Sequence, residues 1–298
     1  MSLRAIGEYM INLMFCGNRK MFDGLVISLL SISKHTKEDL TVYLMTMDLT
    51  NQNKMFNPIT EEERKIIENM LQEKNKNNKV ILMDVTKTYL DYMNKNANRY
   101  THYTPYIFIR ILSDKIEGLP DKILYLDTDI VCYKNIKEIY DVDMSNYEIA
   151  ASLDYLGRKA INENYMNSGV LLMNLKMIKQ TGCFDEARRI CMTKKMVLPD
   201  QTAINKACTK KLLLDDKCNE QYMRNEDTII RHFSMTFKPL PYPKLINIKP
   251  WQIDEIHRVY KIHDFDDIID EYETIKSKKI ENSEKNNEIK YYSIEREN

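Results

Sequence analysis

The chain has 298 residues and a mass of 35.4 kDa, room for one large or two small domains with a substantial core. Its 43% hydrophobic and 30% charged residues exclude a largely disordered chain. The 44 basic residues are balanced by 44 acidic ones, which argues against nucleic acid as a partner. The longest apolar run, Phe22 to Ser33, is broken by Asp23 and serines and is shorter than the ~20 residues of a membrane span. No signal-peptide pattern opens the sequence. The six cysteines (Cys16, Cys132, Cys183, Cys191, Cys208 and Cys218) form no C-x-x-C pair and read as reduced, buried thiols of a cytoplasmic protein.

The first half alternates strand and helix patterns. Ile11 to Cys16 is a short apolar strand, and Leu25, Leu29, Leu30 and Ile32 recur at helical spacing after it. Leu40 to Met47 reads as a second strand. Thr60 to Glu73 reads as a charged helix whose T-E-E-E opening predicts a capping box. Lys79 to Val85 is a third strand, Tyr106 to Ile116 a helix carrying Arg110 among isoleucines, and Lys122 to Leu126 a fourth strand. The order predicts an α/β fold with a mostly parallel mixed central sheet flanked by helices, and a site beyond the strands' carboxyl ends. In the second half, Tyr147 to Leu153, Ser168 to Leu175, Leu212 to Leu214 and Thr228 to Phe233 read as strands; Cys183 to Thr193 and Gln201 to Cys208 read as helices. No Pro- or Gly-rich linker divides the chain, so residues 1–270 are expected to form a single catalytic domain and 271–298 a polar, charged tail.

Asp127-Thr128-Asp129 is the sharpest chemical feature. In extended chain the two carboxylates point to one side, a fit for a hard divalent cation at the end of a core strand. Two metal chemistries use such a triplet. Asp127 to Val131 fits the D-x-D-x-[TV] pattern of haloacid-dehalogenase-type phosphatases, with Leu212 to Asp216 resembling their later acidic pair. That triplet normally follows the first strand of its sheet, however, and here three strands precede it. The alternative is nucleotide-sugar transfer, in which the metal bridges a diphosphate.

Several separated segments carry a family resemblance: Ile11 to Gly17 (INLMFCG), Tyr106 to Leu112 (YIFIRIL), Leu124 to Val131 (LYLDTDIV), Ala151 to Asp154 (ASLD), Asn167 to Leu171 (NSGVL), Asp200-Gln201, His232-Phe233 and Lys249 to Trp251 (KPW). In this order they resemble glycosyltransferase family 8, which includes glycogenin and bacterial lipopolysaccharide galactosyl- and glucosyltransferases. The resemblance covers Ile11 to Trp251. It implies a GT-A-type, Rossmann-like nucleotide-sugar transferase that retains anomeric configuration, with a UDP-hexose donor and Mn²⁺ or Mg²⁺ held by Asp127, Asp129 and His232. It also implies donor contacts from Phe15, Cys16, Gly17, Asn18, Asp127, Thr128, Asp129, Asn167, Ser168 and Lys249, and catalytic roles for Gln201, Asp154, Asp200 and Arg110. The implied acceptor is a carbohydrate or lipid-linked glycan, reached in the cytoplasm with at most peripheral membrane contact.

Blander roles stand beside these. Arg110 suits a helix-to-carboxylate salt bridge, Asp154 and Asp200 suit caps, and Asn167 suits turn chemistry. His232 suits a satisfied core histidine, and Trp251 a core anchor. The sequence departs from the family in the first loop, where Asn18, Arg19 and Lys20 replace acidic residues. It departs again between His232 and Lys249, where Phe237 to Tyr242 must loop out if both are to face one diphosphate. His257 and His263 are therefore rival metal ligands. A non-catalytic UDP-sugar-binding module remains a third reading.

Overall fold

The computed structural model of the chain describes residues 10–99, 103–238 and 244–280. The first half runs β1 (Met10–Cys16), α1 (Phe22–His35), β2 (Asp39–Thr46), α2 (Glu61–Lys74), β3 (Lys79–Asp84), α3 (Thr86–Tyr92), a 3₁₀ helix (Pro105–Lys115), β4 (Lys122–Leu126) and β5 (Ile130–Cys132). After α4 (Lys137–Tyr140) come β6 (Ile149–Ala151), α5 (Gly157–Ala160), β7 (Val170–Asn174), α6 (Leu175–Thr181), α7 (Cys183–Thr193), α8 (Pro199–Ala207) and β8 (Lys211–Leu213). The chain then forms β9 (Ile230–His232), β10 (Thr236–Lys238), β11 (Lys244–Ile246), the single turn α9 (Ile253–Glu255) and a π-helical turn, Ile256–Tyr260.

Seven strands form one sheet in the order β3-β2-β1-β4-β7-β6-β8. All pairings are parallel except those of β7, which runs antiparallel to both β4 and β6. The apolar strands β1 and β4 lie at its centre because both sheet faces are covered. One face packs under α1, α2 and the β5–β9 pair, with Phe15, Leu25, Val42, Leu124 and Phe233 in its core. The other packs under the 3₁₀ helix and α7–α8, with Met14, Met45, Ile109, Tyr125 and Phe184.

Local signals explain where elements begin. The α2 capping box is present: the Thr60 hydroxyl accepts from the Glu63 N–H at 3.2 Å, and the Glu63 carboxylate accepts from the Thr60 N–H at 3.0 Å. Expected and observed bounds coincide for β4 and α7, whereas β6, β7 and β9 are shorter than expected. The segment around Arg110 is helical but of 3₁₀ type, opening on Pro105. Side chains three apart stack in such a helix, so Ile107 and Arg110 share the face that meets the cavity described below.

The expected tail boundary at 271 falls inside a helix spanning 266–280. Tyr272 of that helix is buried in the core beside Ile268 and Ile269, so apolar burial carries the fold past residue 270. Residues 281–298 of the expected tail lie outside the described residues. Among the described residues no helix is long and apolar enough to cross a membrane.

Candidate active site

Strands β1 and β4 are adjacent and parallel, so the loops after them open side by side at one edge of the sheet. A cavity of about 230 Å³ lies there. Cys16, Gly17 and Asn18 line it from the β1 loop, Asp127, Thr128 and Asp129 from the β4 loop, Ile107 and Arg110 from the 3₁₀ helix, and Lys249 and Trp251 from the far side. Asp127 to Asp129 form a bend rather than extended chain. The bend is pinned at both ends: the Asp127 N–H donates to the Gly169 carbonyl at 2.7 Å, and the Phe233 N–H donates to the Asp129 carbonyl at 2.8 Å.

Those bonds bring β9 alongside and put His232 against both carboxylates. One ligand atom each from Asp127, Asp129 and His232 lies within 4.8 Å of the others. His232 Nε2 is 3.2 Å from an Asp129 oxygen and 3.7 Å from an Asp127 oxygen. The Asn219 amide orients the ring: its Nδ2 donates to the Asn167 oxygen at 2.9 Å, and its Oδ1 faces His232 Nδ1 at 3.0 Å. With the Nδ1 proton committed to Asn219, Nε2 is the ring nitrogen that faces the two carboxylates. Lys249 and Arg110 supply positive charge at the edge of this cluster, and its donor set of two carboxylates and one imidazole nitrogen fits a divalent ion. Gly169 makes the approach possible. A Cβ there would sit 2.2 Å from the His232 ring and 2.7 Å from an Asp127 oxygen.

Lys249 Nζ contacts Asp129 at 2.5 Å and donates to the Phe233 carbonyl at 2.9 Å. Burial alone would raise the Asp129 carboxyl, but Lys249 and His232 outweigh it and hold the group well below the usual carboxylate range. Arg110, 5% exposed, donates to Asp127 at 3.0 Å and to the Ser168 carbonyl at 2.7 Å, and its Nε lies 3.2 Å from Asp200. Burial raises the Asp200 carboxyl above its ordinary value while Arg110 pulls the other way. Behind this pair, Asp154 accepts from the Asn167 and Gln201 amides at 2.8 and 3.0 Å on one oxygen, and from the Leu156 and Gly157 N–H groups on the other. The Gln201 oxygen in turn accepts from the Ser168 N–H at 3.0 Å.

The sequence model of glycosyl transferase family 8 matches residues 12–255, most of the chain. The chain belongs to this family. Among its relatives is a lipopolysaccharide 1,2-glucosyltransferase of Escherichia coli, 28% identical over 53% of this chain and 59% of the relative. Another is a lipopolysaccharide 1,3-galactosyltransferase of Salmonella typhimurium, 26% identical over 45% of each. The chain thus spans about half the length of these relatives. Of solved structures, an active-site mutant of LgtC superposes with a TM-score of 0.61 over 87% of this chain and 94% of that one, at 15% identity. The glycosyltransferase GlyE of Streptococcus pneumoniae gives 0.58 over 88% of this chain and 63% of that one, at 18% identity. The shared fold is GT-A.

Set on the family 8 framework, most of the expected residues gather in one place. Cys16, Gly17, Asn18, Arg110, Asp127, Thr128, Asp129 and Lys249 line the cavity; Asp154, Asn167, Ser168, Asp200 and Gln201 form the buried network behind it, and His232 joins the two. Phe15 is the exception. Alternation along β1 turns it to the opposite face from Cys16, into the core under α1, fully buried and away from the cavity. His257 and His263 do not reach Asp127 or Asp129: they stack on each other and share Asp266 at 2.8 and 3.0 Å. Burial pushes the Cys16 thiol up, which disqualifies it as a nucleophile. Asp215 caps the turn at Lys217, and Asp216 pairs with Arg158 at 3.1 Å, so the later acidic pair of the phosphatase reading does structural work at the surface.

Sequence reasoning missed three contributors. Tyr125 donates its hydroxyl to Asp127 at 2.5 Å, Asn219 orients His232, and Trp251, which packs against the core as expected, also lines the cavity. Tyr125 has a signal in retrospect, standing two residues before Asp127 on the same face of the strand. Asn219 lies in an irregular stretch that offers none.

Proposed function

We propose that the chain is a metal-dependent, retaining hexosyltransferase that moves glucose or galactose from a UDP-sugar to a hydroxyl of a glycan. The convergence of Asp127, Asp129, His232 and Lys249 on one cavity beside the β1 loop carries the reading. Relatives named for glucose and galactose transfer on lipopolysaccharide make a lipid-linked glycan the acceptor class of choice.

Asp127, Asp129 and His232 would hold the cation, and its oxygen and imidazole ligands favour Mn²⁺ over Ca²⁺. Such an ion supplies Lewis-acid neutralisation of the departing diphosphate. Lys249 stands on the cavity wall and adds a positive charge where the leaving group separates. Arg110 and Tyr125 position Asp127, while Cys16, Gly17 and Asn18 offer the β1 edge to the nucleoside. Asp154 makes a poor covalent nucleophile because four donors already occupy its oxygens, and both ends of the Gln201 amide are committed. Retention then follows from same-face displacement, in which the acceptor hydroxyl attacks the anomeric carbon and passes its proton to the departing diphosphate.

Purified protein with Mn²⁺ should slowly release UDP and free hexose from UDP-glucose or UDP-galactose without acceptor. Phosphate release from a generic phosphoester, with no UDP from any sugar donor, would favour the phosphatase chemistry. Thermal stabilisation by UDP-sugar with Mn²⁺ but no turnover would leave a binding module.

A further inference from the structure

A second cavity, of about 340 Å³, lies between β9, the β10–β11 hairpin and the segment 256–264. It is not continuous in its lining with the donor cavity: the two share no residue. Strand alternation on β9 separates them, because His232 joins the Asp127 cluster while Arg231 lines the second cavity.

Arg231 is only 3% exposed, yet its Nε is buried without a hydrogen-bond partner. Its guanidinium lies over the Phe233 ring, 5.3 Å from Cζ to the centroid. The nearby acids are engaged elsewhere. Asp264 accepts from the Tyr133 hydroxyl at 2.9 Å and pairs with Arg224 at 3.3 Å; Glu220 accepts from the Tyr222 and Met223 N–H groups at 2.8 and 3.2 Å. Glu220 and Asp264 act on Arg231 only through space, with no hydrogen bond to it, and a buried charge whose hydrogen-bonding capacity is unmet is costly. A second guanidinium, Arg224, lies on the same wall, its Cζ 4.4 Å from the Tyr133 ring centroid. Arg224 and Arg231 against Asp264 leave the lining with a surplus positive charge. The remaining wall is apolar and aromatic, and Met223 and Phe237 on it are exposed to solvent. The volume falls in the range of organic-ligand sites and exceeds what a bare anion fills.

We propose that this cavity binds a phosphate-bearing amphiphile, its phosphate on Arg231 and Arg224 and its apolar body along Met223 and Phe237. Planar guanidinium forks suit phosphate oxygens, and the ligand would provide the acceptor that Arg231 lacks. The site is independent of the hexosyl-transfer reading, since it is defined by a cavity and a charge outside the donor cavity.

The test is calorimetric binding of inorganic phosphate and of a short-chain phosphatidic acid below its micelle threshold to the full chain and its variants. The phosphatidic acid should bind tighter than phosphate by about tenfold or more, as expected for burying a few methylenes. Arg231→Gln should weaken it about tenfold or more, the loss expected for charge-assisted bonds, and Arg224→Gln should weaken it less. Without ligand, Arg231→Gln should melt no lower than the parent, because no partner is orphaned. Equal binding of the two probes would overturn the apolar half of the site. Unchanged binding in both arginine variants, or binding abolished by Lys249→Ala instead, would place the anion elsewhere and overturn the proposal. Should Arg231→Gln fail to fold, the Arg224→Gln result alone decides: no weakening refutes it.

Discussion

Arg110 and Arg231 are both buried guanidiniums, 5% and 3% exposed, and they differ in what surrounds them. Arg110 reaches Asp127, Asp200 and the Ser168 carbonyl, and two of these neighbours are themselves bonded, Asp127 to Tyr125 and Ser168 to Gln201. Both carry a buried Nε without a hydrogen bond, but that of Arg110 faces Asp200 at 3.2 Å, whereas Arg231 has an aromatic face and feels Glu220 and Asp264 only through space. A network of paired charges fixes the positions of its members, and here it holds Asp127 in place. An open one stores charge for something that arrives. In one small region of the fold, burial therefore serves rigidity on one side of β9 and leaves recognition capacity on the other.

Removing each guanidinium separates the two cases most strongly. Arg110→Met leaves Asp127 and Asp200 without their cation and should lose about 3–5 kcal/mol of unfolding free energy, measured by urea denaturation. A loss no larger than that of Arg231→Gln would erase the difference between the sites. Lys249→Ala tests the rim of the paired network. Turnover of UDP-hexose should fall about 10²–10³-fold while Mn²⁺ affinity changes less, because the lost charge matters most as the leaving group departs. An unchanged rate would remove Lys249 from the reaction.

The smallest effect concerns a closed charge network remote from the chemistry. Glu63 is buried, caps α2, and pairs with Arg19 at 3.0 Å and with Lys279 of the last helix at 2.6 Å. Burial would raise its carboxyl, but Lys279, the Thr60 N–H and Arg19 outweigh it and hold the group below its ordinary value of 4.5. A depressed folded-state value means that the stabilisation is present above 4.5 and is lost as pH falls through the lower, folded value. Glu63→Gln should therefore lower stability by about 1 kcal/mol at neutral pH and flatten the acid limb of the melting-temperature profile. A parallel downward shift of the whole profile would mean that the carboxylate charge contributes nothing.

The parts legible in the sequence are those governed by local or periodic rules. The apolar runs of β1 to β4, the T-E-E-E opening of α2 and the acidic triplet after β4 each carry their signal within a few residues. The triplet's geometry was less accessible. Asp127 and Asp129 converge through a bend held by Gly169 and Phe233, long-range bonds with no counterpart in strand alternation. The same alternation rule, applied to Phe15, would have kept it out of the donor contacts. The segment between His232 and Lys249 was expected to loop out. Its described part forms β10 and β11, with residues 239–243 outside the described residues, and Lys249 returns to Asp129. The missing hydrogen bond of the Arg231 Nε is the least legible property of all, since it depends on Asp264 and Glu220 bonding to other partners.

Calorimetric titration of Mn²⁺ into the protein saturated with UDP tests the central claim most directly. Asp127, Asp129 and His232 should form the site, so Asp129→Asn and His232→Ala should each weaken Mn²⁺ by about tenfold or more without lowering the cooperativity of unfolding. His257→Ala should leave the affinity unchanged. Undiminished Mn²⁺ binding in Asp129→Asn and His232→Ala, or its loss in His257→Ala, would contradict the assignment.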